Sequence, residues 1–71
     1  MDLVVYKRKE RIKTIKGFDN EGLIRSLTFY RECYDRCMEN HVDWYMAEYF
    51  IDNISIIKDE MEKRNISTKV N

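Results

Sequence analysis

Three residues of this chain carry side chains from which chemistry is often built. Cys33, Cys37 and His41 fall at steps of four within Arg31–His41. Thiolates and imidazole bind transition metals, and a thiolate is also a nucleophile. On a helix, residues four apart hold their Cβ atoms about 5–6 Å apart. A disulfide wants about 3.5–4.5 Å, so Cys33 and Cys37 are poorly placed to bridge each other. Both thiolates can share one ion, but His41 lies about 12 Å beyond Cys33 along a straight helix. A structural zinc site also needs four ligands, and there is no second cysteine pair. The expectation is that both cysteines are small packing residues and that the chain holds no metal and no cofactor.

The same reasoning disfavours catalysis. His41 is the only histidine, and two glycines cannot build a glycine-rich phosphate loop. Glu48, Asp52 and Asp59 share a helix face without a histidine beside them, which reads as a solvated side. Neither an enzyme nor a small-molecule substrate is expected.

The elements that must position these residues are few. Seventy-one residues make a single small domain, whose lone core is marginal, so self-association is a natural source of stability. The hydrophobic fraction of 44% and charged fraction of 37% belong to a globular chain rather than a disordered one. One alanine against eight isoleucines is the composition of an AT-rich bacterial or viral coding sequence, phage included. Leu3–Tyr6 is too short for a signal peptide or a membrane span, and two cysteines make no secreted framework. A cytoplasmic location without membrane contact follows as an expectation.

From Glu21 onward the pattern is helical. Leu23, Leu27, Tyr30, Tyr34 and Cys37 follow spacings of 4, 3, 4 and 3, and Asp19 or Asn20 can cap the start. Asn40 reads as a break. Ala47, Phe50, Ile54, Ile57 and Met61 then form a second stripe. Two such helices, joined by little, fold back on each other. Leu3–Tyr6 and Arg11–Ile15 are rich in β-branched and aromatic residues and read as strands, with a turn at Lys7–Glu10 and a bend at Gly17. The expected fold is α+β, mainly α: a short N-terminal β-strand or hairpin followed by an antiparallel two-helix hairpin. Its parts are a basic β element at 1–18, helices at 19–40 and 41–65, and a tail at 66–71.

Two features exceed what folding needs. Val42, Tyr45, Tyr49 and Ile56 form a line on the second helix opposite its core stripe, with Trp44 and Met46 beside it. A helix apolar on two sides is sandwiched or meets a partner, and tyrosine and tryptophan favour interfaces. The partner-binding candidates are thus Val42, Trp44, Tyr45, Tyr49 and Ile56, on a small regulator or inhibitor of a protein partner that also forms a homodimer. The second feature is charge. Residues 1–16 carry six basic and two acidic side chains, whereas residues 32–62 carry nine acidic and two basic. Lys7, Arg8, Lys9, Arg11 and Lys13 are the candidates for contacting nucleic acid. A basic strand ahead of two helices is similar in layout to ribbon-helix-helix repressors, where a dimer lays paired strands in the major groove. That layout implies a dimeric DNA-binding regulator as the alternative function.

Overall fold

A computed structural model of the protein describes residues 3–40 and 44–67. Three helices make up the fold: α1 (Arg8–Lys16), α2 (Asn20–Glu39) and α3 (Trp44–Lys63). No strand occurs among the described residues, so the α+β expectation is overturned. Residues 3–7 are turns, and the basic segment is helical.

The reason lies in hydrogen bonding and spacing. A strand must find a partner for its amides, whereas a helix satisfies its own. The β preference of Val, Ile and Thr costs a helix only tenths of a kcal/mol per residue, which packing readily overrides. Packing here is favourable because Ile12 and Ile15 fall on one side of α1, where Ile15 enters the core and Ile12 packs against it. Lys7 begins α1 in the left-handed region (φ 48°), and its carbonyl accepts the Arg11 amide at 2.8 Å. The bend at Gly17 uses none of glycine's freedom, since its φ is −79°.

Local signals define the longer helices. Asp19 caps α2, its Oδ1 accepting the Gly22 amide at 2.7 Å. At the other end Asn40 donates twice to the Arg36 carbonyl, from its backbone (3.1 Å) and its side chain (2.9 Å). α3 ends in a Schellman turn: Asn65 is left-handed (φ 58°), and the Ile66 amide donates to Met61 O at 2.8 Å. That turn lays Ile66 against the core instead of in a loose tail.

α3 is the common floor. α2 runs along it, and α1 packs on it from another side. Arg64, just past α3, donates to Phe18 O (2.7 Å), Lys16 O (2.8 Å) and Asn20 Oδ1 (3.1 Å), so the end of α3 meets the start of α2. The core is Ile15, Leu23, Leu27, Ile56, Ile57 and Met61. It occupies one end of the hairpin: beyond Leu27, α2 buries no residue.

Candidate functional site

The line expected on α3 is divided by α1. Ile56 is only 5% exposed and belongs to the core, packed in one cluster with Ile15 of α1. It is therefore withdrawn from the partner-binding candidates. Tyr49 is half-buried, with the Arg11 guanidinium stacked 4.9 Å from its ring centre. The N-terminal segment does cover this face, as a helix rather than as strands. Trp44 and Tyr45 stand 65% and 64% exposed in the first turn of α3, while Met46 is half-buried. Val42 lies outside the described residues, as does His41. Met38, in the last turn of α2, is exposed, and Cys33, Tyr34 and Cys37 are half-buried on the same helix. The cysteines are free thiols, and the described residues contain no metal-holding cluster of His, Cys, Asp or Glu.

The basic cluster also divides. Arg11 is an internal tie: Nε donates to Tyr6 O (3.1 Å), Nη2 to Val4 O, and Nη1 to Asn53 Oδ1. Nη1 also lies 3.0 Å from Asp52 Oδ2, with both side chains nearly buried. Arg8 joins the same carboxylate at 3.3 Å. Both arginines are engaged by α3: Arg11 is nearly buried, whereas the Arg8 side chain is still 43% exposed. Lys7 pairs loosely with Glu10 at 3.9 Å. Lys9, Lys13 and Lys16 are exposed at helical spacing along α1, with no partner among the described residues.

The fold adds a site that the sequence does not announce. α1 and α2 both rest on α3 but scarcely touch each other, and a groove of about 440 Å³ opens between them. Phe29, Tyr30 and Tyr49 supply aromatic walls, Thr14 and Ser26 hydroxyls, and Asn53 a buried amide. Tyr30 stacks edge-on with Phe29 (5.3 Å) and lies 6.0 Å from Phe50. Burial pushes the Tyr30 phenol above its usual 10.0, helped by Tyr49 and Cys33 and opposed by Arg11. A raised folded-state value means that the unfolded chain loses this proton first. The Tyr30 contribution to stability is thus complete below pH 10.0 and is lost as pH rises through the folded value. Alkaline titration read by phenolate absorbance should show a component above 10.0 that disappears in Tyr30→Phe. If the component lost in Tyr30→Phe lies at 10.0 instead, Tyr30 ionises as an ordinary surface phenol.

Comparison with protein-family models, with curated proteins and with solved structures finds no match to this chain. Among the described residues no helix is long and apolar enough to cross a membrane.

Proposed function

We propose that the protein is a small non-catalytic binding module that associates with itself and regulates or inhibits a protein partner through the uncovered end of its helical hairpin. One observation carries this reading: Trp44 and Tyr45 are about two-thirds exposed at the end of the hairpin where α2 buries nothing. Trp and Tyr are typical interface anchors, because each removes a large apolar area from water while keeping a polar group to pair. Ile51, 47% exposed and seven residues after Trp44, extends the same helix face.

Light scattering on the purified chain tests the self-associating part directly. The wild-type mass should exceed the 8.7 kDa of one chain, and Trp44→Glu should return it to that value with helicity unchanged. Trp44 is exposed, so a charge there does not touch the core. A mass of 8.7 kDa at high concentration for both proteins would refute self-association through this face.

Nucleic acid is the weaker reading. The strand it relied on is a helix, and Arg8 and Arg11 are tied to Asp52. What supports it is the row Lys9, Lys13 and Lys16 on the outside of α1. Binding of a duplex that weakens steeply with salt and is lost when these three lysines are neutralised would favour this reading over the first.

A further inference from the structure

The groove between α1 and α2 joins an open aromatic wall to a charge that does not cancel. Phe29 is 58% exposed where it lines the groove, its ring edge-on to Tyr30, and Tyr49 lines the floor. The charged lining is Lys7, Arg11 and Arg25 against the single carboxylate of Glu10. Two of these cations have partners outside the lining: Asp52 for Arg11 and Glu21 for Arg25. Asp52, however, is shared with Arg8. Lys7, Arg8, Arg11 and Arg25 thus meet only Glu10, Glu21 and Asp52, which leaves one positive charge over. On the α2 wall, Arg25 and Glu21 are both largely exposed, so their contact contributes little and the guanidinium can change partner. Beside it Ser26 is half-buried, and its hydroxyl has no hydrogen-bond partner among the described residues. Thr28 on the same helix instead bonds back to Ile24 O at 3.2 Å.

We infer that this groove binds a planar aromatic molecule carrying one carboxylate, its ring against Phe29 and Tyr30 and its carboxylate taken by Arg25 and Ser26. Each attribute follows from particular residues. The volume of about 440 Å³ is that of a small-molecule site. Planarity follows from the rings of Phe29, Tyr30 and Tyr49, which offer faces and edges for offset stacking. The single negative charge follows from the single uncancelled positive one: a neutral ligand leaves it unanswered, and a dianion brings a charge with no counterpart. A carboxylate suits Arg25 because the planar guanidinium can donate two parallel N–H groups to it, and the Ser26 hydroxyl can add a third donor. This site is separate from the Trp44 end of the hairpin and stands or falls independently of it.

The test is an amide-resolved NMR titration of the full chain with three probes that share one ring system and differ in charge. These are 2-naphthoate, 2-naphthamide and 2-naphthylmethylammonium. 2-Naphthoate should shift the backbone amides of Arg25, Ser26 and Phe29 and bind roughly fivefold more tightly than 2-naphthamide, the factor expected for one partly exposed ion pair. The ammonium should bind most weakly, and the preference for the acid should shrink as salt is raised. Arg25→Gln should bring 2-naphthoate down to the level of 2-naphthamide and leave 2-naphthamide unchanged, whereas Phe29→Ala should weaken both. Equal or tighter binding of 2-naphthamide would overturn the inference. So would shifts centred on Trp44 instead of the groove, or a preference for the acid that survives in Arg25→Gln. Should Arg25→Gln lose helicity, the three-probe comparison and its salt dependence on the native chain decide alone.

Discussion

Asp52→Ala should destabilise the protein by about 3 kcal/mol and release α1 from the hairpin. The carboxylate pairs with Arg11 (3.0 Å) and Arg8 (3.3 Å), and the Asp52 and Arg11 side chains are only 13% and 12% exposed. Removing one partner of a nearly buried pair strands the other charge, which typically costs about 3–5 kcal/mol. The lower end applies because Arg11 keeps its bonds to Asn53, Val4 and Tyr6. In a domain this small, that loss corresponds to a fall in Tm on the order of 10–20 °C. Trypsin should cut at Lys9, Lys13 or Lys16 before the hairpin melts. Asp52→Asn keeps an acceptor and should lose about half as much. An Asp52→Ala protein with unchanged Tm and cleavage would show that apolar contacts of Ile12 and Ile15 alone hold α1 in place.

The second large effect is expected at Arg64, where one guanidinium joins three segments of chain. It donates to Lys16 O, Phe18 O and Asn20 Oδ1 while Glu60 holds its Nε at 2.9 Å. These acceptors gather the end of α1, the turn and the start of α2 onto the end of α3. Charged hydrogen bonds contribute about 1.5–3 kcal/mol each. The carbonyls freed by a truncation regain water, so Arg64→Ala should cost about 2 kcal/mol in urea unfolding. Arg64→Lys separates charge from shape. An ammonium cannot spread donors across these acceptors as the planar fork does, so most of the loss should remain. Full recovery in Arg64→Lys would mean that the positive charge beside Glu60 is what matters.

The sequence by itself determined the features whose causes are local. The stripes Leu23–Leu27–Tyr30 and Ala47–Ile54–Ile57–Met61 place two helices, because a period of 3.6 residues is written in the chain. Asp19 and Asn40 mark the ends of α2 because a short polar side chain reaches the adjacent backbone. Ile56 and the N-terminal segment were decided by tertiary structure. Arg11–Ile15 has a composition that reads as strand and Lys7–Glu10 one that reads as turn, and what makes the segment helix lies far along the chain: Asp52 and Asn53 for Arg11, and Ile56 for Ile15. The spacing Arg8, Ile12, Ile15 carried a helical signal, but a segment this polar shows it weakly. Intrinsic preferences of tenths of a kcal/mol gave way to a nearly buried ion pair and a shared core. The groove exists only because α1 and α2 share one floor while scarcely touching each other, an arrangement of three helices that no local pattern of residues encodes.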